Sequence, residues 1–408
     1  MRRAGGANGG RVLSDQVSFW LLAAVLALLL FAASAPSPLY VVYEARWGFS
    51  AITLTLVFAV YALALLVALL TTGRLSDHLG RRPVLAAGLV VQIAAIVAFI
   101  LADGVALLYV ARIVQGVGTG LATGAISAWL LDLQPRERPG LGSVVAGIAP
   151  MVGLAAGALV SGLLVQYAPD PLRLVYWILG AAYLVALLAL PSIDDVVERR
   201  PGWLASMKPE VGVPPAARSL FAASAPSLVA TWALGGLYLS LGPSLAISLL
   251  GSESHLAGGL VIVALTGSGA IVSALAHSVE PRLLVARASL ALLVGIAITL
   301  VAVAAGSTAL LYAGSVVAGA GFGPAFSGIF RSLAPLAPPE GRGGLIASIY
   351  VVSYLAFSVP AVIAGVALTR WDLADTTYVY GAVLIVLAGF TAFAVGRDGS
   401  RASLGVEG

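Results

Sequence analysis

The chain has 408 residues, 60% of them hydrophobic and only 10% charged, with a mean hydropathy of +1.03. That lies far above the ~45–50% apolar content of soluble domains and excludes an ordinary water-soluble fold. The absence of cysteine excludes disulfides, thiolate chemistry, iron–sulfur clusters and cysteine-ligated zinc.

Twelve apolar runs follow one another, at 17–41, 50–72, 83–103, 106–131, 141–167, 171–191, 219–243, 256–277, 283–305, 308–332, 343–369 and 375–396. A spanning helix needs ~20 such residues, and lipid leaves the backbone no partners other than its own. The fold class expected is therefore all-α integral membrane, with twelve transmembrane helices. The boundaries give a polar tail at 1–16, a six-helix bundle at 17–191, a linker at 192–218, a second bundle at 219–396 and a tail at 397–408. Both tails are polar, Gly-rich and expected to be disordered.

The net charge of +4 and pI of 9.4 would suit a nucleic-acid partner, but the basic residues are segregated. With the N-terminus taken as cytoplasmic, 18 of the 22 Lys and Arg fall in cytoplasmic segments. Arg46, Arg173 and Arg370 fall outside, and Arg112 lies within a run. This asymmetry is the positive-inside rule and predicts both termini in the cytoplasm. One lysine against 21 arginines reads as the bias of a GC-rich bacterial genome, so the expected location is a bacterial inner membrane.

Arg2, Arg3 and Arg11, the apolar stretch from Phe19 to Phe31 and then Ala33-Ser34-Ala35 imitate a cleavable signal peptide. Cleavage would leave eleven helices and destroy the two equal halves, so the first run is read as a retained helix. Ser37 and Tyr40 in this run, and Tyr61 in the second, are candidates to line a cavity. Glu44, near Tyr40 and Tyr43 at the far mouth, is a candidate protonatable group, though a plain surface residue fits it better.

Residues 73–85 form a short charged loop with five ionisable side chains: Arg74, Asp77, His78, Arg81 and Arg82. Between two long apolar runs it must be a tight hairpin at the membrane surface. Gly73 and Gly80 let one helix end and the next begin within a few residues. Asp77 suits the positive end of a helix dipole, and Arg81 and Arg82 suit helix C-termini or lipid phosphates.

The fourth run holds Arg112, the one ionisable side chain clearly inside a helix. A charge there is costly, so it should face a watery cavity or hydrogen-bonding partners. Snorkelling to the near surface is the plainer alternative. Gln115 lies one turn away, Gly116, Gly118 and Gly120 permit close helix approach, Trp129 is a further cavity candidate, and Asp132 ends the run as a second protonatable candidate. The fifth run carries Gly153, Gly157 and Gly162, a small-residue face that ordinary helix packing also explains.

The stretch from Pro191 to Arg218 is charged and proline-rich and reads as a cytoplasmic linker, with room for a short amphipathic helix but not for a catalytic domain. In the second half Trp232, Tyr238, Phe322 and Phe326 join Tyr350, Tyr354 and Phe357, which form one stripe at helical spacing. Aromatic residues near helix ends more often form interfacial belts, whereas this stripe lies mid-run.

Shifting the chain by 203 residues places Gly116, Gly118 and Gly120 on Gly319, Gly321 and Gly323. Gly48 falls on Gly251, Asp77 on Glu280, Pro135 on Pro338, Glu137 on Glu340, Gly140 on Gly343 and Gly162 on Gly365. A constant register through charged and loop-marking positions indicates a parallel repeat of six helices.

Together, the loop Gly73-Arg-Leu-Ser-Asp77-His-Leu-Gly80-Arg81-Arg82 and the Arg112-Ile-Val-Gln115-Gly116-Val-Gly118-Thr-Gly120 stretch resemble motifs of the major facilitator superfamily of secondary transporters, in its drug/proton antiporter-like branch. The resemblance implies two pseudo-symmetric six-helix bundles around a midplane site. It implies that Gly73, Asp77, Gly80, Arg81 and Arg82 form a conformational latch, with Asp77 bonded across to the start of helix 11 near Gly343–Leu345. It implies that Arg112 contacts substrate or tunes a nearby acid. The fifth run departs from the family's antiporter motif, because Ala158 stands where a proline is expected and Ser161 replaces a glycine.

The function implied is export of a small hydrophobic or amphipathic molecule by alternating access, by a chain that is a monomer and not an enzyme. No cofactor is implied beyond a proton as coupling ion, and that rests on kinship, since no Asp, Glu or His lies mid-membrane in runs 1, 7, 8, 10 or 11. Uptake or uniport of a neutral solute is the alternative. A polytopic membrane enzyme would need acidic or histidine clusters in surface loops. The three histidines are scattered, and no metal site is expected. An uncharged aromatic cavity argues against di- or tricarboxylates and phosphate.

Overall fold

The structure, a computed structural model, describes residues 13–195, 197, 199–250 and 254–404. Among these there are no strands, and twelve helices are long and apolar enough to cross a membrane. In the first half they are α1 (Asp15–Trp47), α2 (Ala51–Thr72), α3 (Arg81–Ile100), α4 (Val105–Asp132), α5 (Leu141–Tyr167) and α6 (Leu174–Ser192). In the second they are α7 (Pro215–Ser240), α8 (His255–Leu275), α9 (Pro281–Ala305), α10 (Thr308–Leu336), α11 (Gly341–Ala367) and α12 (Leu373–Val395).

Local chemistry sets the helix ends. The hydroxyls of Ser14, Ser50, Ser254 and Ser307 accept from the third amide beyond them, each at 3.4 Å, covering a donor the helix cannot use. Gly48 and Gly306 close α1 and α9 at φ of 63° and 59°, where a side chain would be strained. Charge does not stop these helices. α1 runs past the apolar stretch ending at 41, through Glu44 and Arg46, because no breaker intervenes before Gly48. Beyond Leu241, α7 resumes as a short helix, Gly242–Leu250, and the helix of α12 continues to Leu404. Gly251, the expected partner of Gly48 in the repeat, lies outside the described residues, as do 1–12, Glu198 and 405–408.

The packing obeys the 203-residue repeat. In the first half α3 lies on α4, α2 on α4, α1 on α5 and α3 on α6. In the second, α9 lies on α10, α8 on α10, α7 on α11 and α9 on α12. The bundles meet along two seams, α2 on α11 and α5 on α8, which the same shift exchanges. Equivalent glycines seat the seams: Gly162 against Leu256 and Gly259 of α8, and Gly365 against Ala51 and Thr55 of α2.

Because successive helices alternate in direction, Leu13, the 73–80 loop, the linker and Leu404 share one face, here termed the linker face. At the opposite face the bundles are in contact. The His255 amide donates to Gln166 Oε1 at 3.1 Å, and the Gly242–Leu250 helix touches the Pro36–Trp47 part of α1. The linker itself contains a four-residue helix, Trp203–Ser206.

Candidate functional site

The site begins with two prolines. Pro36 and Pro38 have no N–H, so the carbonyls of Ala32 and Ser34 lose their helical donors, and α1 is interrupted at Ala35. Side chains of the neighbouring helices occupy carbonyls around the break. Gln115 Nε2 donates to Ala32 O at 2.8 Å, Arg112 Nη1 to Ala33 O at 3.2 Å, and Ser161 Oγ to Ala35 O at 2.6 Å. The interruption in α1 and the polar residues of α4 and α5 thus satisfy each other.

Arg112 Nη1 also donates to Gln115 Oε1 at 2.6 Å, and its guanidinium lies 4.3 Å from the centroid of the Tyr61 ring. The side chain points into the bundle and does not snorkel, with Arg112 only 1% exposed. Among the described residues, no ion pair involves it, and its Nε has no hydrogen-bond partner. Gln115 is held in turn, since Gln92 Nε2 donates to its carbonyl at 3.0 Å and to Thr119 Oγ1 at 2.7 Å. The Tyr40 hydroxyl is buried and unpartnered, as is Ser37 Oγ. In the second half the repeat sets Ser315 where Arg112 stands and Tyr238 where Ala35 stands. Ser315 Oγ donates to Tyr238 OH at 3.1 Å, so α10 and α7 are joined there by an uncharged hydrogen bond.

Facing this buried polar cluster from the second bundle is an aromatic wall. Trp232 of α7 lies 5.2 Å from Tyr354, 5.5 Å from Phe326 and 5.7 Å from Phe357. Tyr350 is 6.1 Å from Tyr354, so the predicted stripe is a contiguous surface. Phe58 of α2 joins it, 4.7 Å from Phe357, and Tyr61 packs in the same cluster as Phe357, Trp232 and Tyr354. Tyr61 therefore has Arg112 on one side and the aromatic wall on the other. Trp232, Phe326, Tyr350 and Tyr354 keep partial exposure, and the Trp232 indole N–H has no partner. Phe322 is turned against Gly235.

The charged loop closes differently from the expectation. Arg81 gathers the carboxylate of Asp77, the Ser76 hydroxyl at 2.8 Å and Asp132 Oδ2 at 3.1 Å. Asp195 of the linker accepts from the amides of Arg81 at 3.2 Å and Arg82 at 3.0 Å, capping α3. The Arg82 guanidinium reaches the Ile193 carbonyl just beyond α6. The expected bond from Asp77 to Gly343–Leu345 is not formed. Asp77 is turned to Arg81 of its own bundle, and the linker occupies the start of α11, with the Gly212 amide donating to Gly344 O at 3.2 Å. The loop instead reaches the linker through Arg74 and Glu210, 3.1 Å apart. In the second half Glu280 caps α9 itself, accepting from the amides of Arg282 and Leu283, and no distant carboxylate is needed.

Other predicted residues fall as follows. Trp129 is not a cavity residue. It is fully buried toward the linker-face end of α4, where its N–H donates to the Asp194 carbonyl at 3.3 Å. Asp132 lies with Arg81, outside the membrane interior. Glu44 is half-buried at the opposite face, beside Tyr43, whose hydroxyl donates to that of Tyr176 at 3.2 Å. Gly116 and Gly120 lie against α2, Gly118 against Gln92 of α3, Gly153 and Gly157 against α1, and Gly73 against Gly124 of α4. Asp195, Gln92 and the hydroxyl of Ser161 were missed. Gln92, an amide within an apolar run, and the two prolines of α1 were the signals available.

Two repeated six-helix bundles, joined at two exchanged seams around a buried polar cluster and an aromatic wall, define the architecture of a membrane carrier. Residues 19–359 match the profile of the Major Facilitator Superfamily, and the chain belongs to that family. It is 35% identical over 153 residues to an uncharacterized MFS-type transporter of Mycobacterium tuberculosis, covering 36% of this chain and 26% of the relative. It is 30% identical over 155 residues to multidrug resistance protein MdtL of Klebsiella pneumoniae, covering 38% of each. For MdtL of Escherichia coli the identity is 32% over 149 residues, covering 36% of this chain and 37% of the relative. The chain thus aligns to between about a quarter and two-fifths of the length of these relatives.

Proposed function

We propose that this transporter exports a small hydrophobic or amphipathic molecule by alternating access, with the linker face in the cytoplasm of a bacterial inner membrane. The observation that carries this reading is the aromatic wall of Trp232, Phe326, Tyr350, Tyr354 and Phe357 set beside the buried polar cluster at Arg112. The similarity to MdtL supports export, and the segregation of Lys and Arg supports the orientation. In this reading the bundles rock about the α2–α11 and α5–α8 seams. Arg81, with Asp77 and Asp132, Arg82 and the glycines of the loop, holds the linker face in register through Asp195.

Proton coupling has kinship as its only support. Glu44 sits at the opposite face and Asp132 beside Arg81, so neither carboxylate touches the polar cluster. That distribution favours a second reading, facilitated movement of a neutral solute without proton exchange. Inverted membrane vesicles with an internal pH-sensitive dye separate the two. Substrate-driven proton release from acidified vesicles supports antiport, and substrate movement without a proton signal supports the facilitator. Failure of a panel of lipophilic cations, anions and neutral aromatics to move overturns export of this class of molecule.

A further inference from the structure

The polar cluster at Arg112 has a property that an apolar drug site does not need. Its single cation is buried, has no carboxylate partner among the described residues, and keeps an unpartnered Nε. The Ala33 carbonyl, the Gln115 amide oxygen and the Tyr61 ring each lend it partial negative charge, but none neutralises it. A guanidinium in such surroundings carries a desolvation cost that a full negative charge would offset. The Tyr40 hydroxyl, on α1 about two turns beyond the Ala33 that Arg112 contacts, is buried and unpartnered. The Tyr61 hydroxyl is likewise buried and without a hydrogen-bond partner. Unmade hydrogen bonds at buried donors are expensive, and Tyr40, Tyr61 and Arg112 each carry one, with the Tyr61 ring against the guanidinium.

We infer that this cluster selects an amphipathic monoanion: one carboxylate-like group held by Arg112 and Tyr40, and one aromatic or apolar body lying past Tyr61 against Trp232, Tyr354 and Phe357. The order of affinity follows from charge. A monoanion relieves the buried cation, a neutral isostere leaves it as it is, and a cation adds like-charge repulsion in a low-dielectric setting. A dianion is disfavoured, because the second half carries Ser315 where the first carries Arg112. The inference rests on the export reading only in taking the central site as the substrate site.

The test is a charge series on one ring: 1-naphthylacetate, 1-naphthylacetamide and 1-naphthylmethylammonium, titrated calorimetrically into the full chain in lipid nanodiscs. The carboxylate is expected to bind at least about tenfold more tightly than the amide, with the ammonium weakest. Arg112→Gln should bring the carboxylate to within about twofold of the amide, while Arg112→Lys should keep the preference. Since Arg112 also supports the α1 interruption, Tyr40→Phe serves as the variant that removes no existing bond. It should weaken the carboxylate about threefold without lowering the melting temperature. Equal binding of the three probes, binding of none, or a carboxylate preference that survives Arg112→Gln overturns the inference. Vesicle uptake of the same probes tests the export reading separately, because a charge preference in binding stands whether or not the bound probe is moved.

Discussion

A side chain on Gly80 would place its Cβ 2.7 Å from Oδ2 of Asp195, so the only residue that fits between the charged loop and its linker cap is one with no side chain. Gly80 also sits at φ 94°, a conformation unfavourable for any other residue. Gly80→Ala is therefore expected to lower stability by about 1–2 kcal/mol through strain and a displaced cap. Asp195→Ala alone should cost about 1 kcal/mol. The double variant should cost less than the sum, because the clash disappears with the carboxylate. Thermal unfolding of the four proteins in detergent measures the coupling, and strict additivity would remove Asp195 from this role.

Arg81 and Asp77 should behave unequally. The Asp77 side chain is 55% exposed, so solvent screening leaves its ion pair worth only about 0–1 kcal/mol. Asp77→Asn should slow transport while leaving insertion and stability nearly intact. Arg81→Ala removes the partner of Asp132 and of Ser76 as well, and should lower both transport and melting temperature. The check is initial transport rate beside thermal stability for both variants, and equal effects would contradict the geometry.

The interruption of α1 is open to a direct test. Pro36→Ala returns an N–H whose helical acceptor would be Ala32 O, the oxygen now used by Gln115. Helix propensity favours the change, so the protein is expected to keep or gain stability while transport falls as Gln115 and Arg112 are released. Transport and melting temperature moving in opposite directions is the signature to look for. Ser161→Ala, which leaves Ala35 O without its side-chain donor, should lower both by a modest amount, about 1 kcal/mol in stability.

At the α2–α11 seam, a Cβ at position 365 would collide with the Thr55 side chain. Gly365→Ala should therefore loosen the opposite face, and Thr55→Ala in the same chain should restore it in part. Distances between spin labels placed across the two bundles at that face report the change. A closed distance distribution in the single variant would show that the seam accommodates the methyl group.

Twelve spans were legible because hydropathy and span length report the same constraint. Arg112 drew attention because a charge within an apolar run has few cheap explanations, and the structure places it buried and bonded to Gln115. Trp129 was misread, since the apolar mass of an indole looks the same whether it faces a cavity or a packed core. Asp195 could not be read at all, because its partner amide lies 114 residues away and a cap made across that distance leaves no local pattern. The Asp77 bond to helix 11 was an expectation of kinship, and it yielded to two nearer contacts, Arg81 beside Asp77 and the linker beside Gly344.

The linker is held at both ends by different bundles: Asp194 and Asp195 bind the first at α3 and α4, and Gly212 binds the second at Gly344. Divided between Lys208 and Pro209, the protein would give two polypeptides that each keep their own anchored end, with Arg74 and Glu210 on opposite partners. Co-produced halves should consequently find one another through the α2–α11 and α5–α8 surfaces, and covalent continuity of the chain would then serve assembly order more than the assembled form.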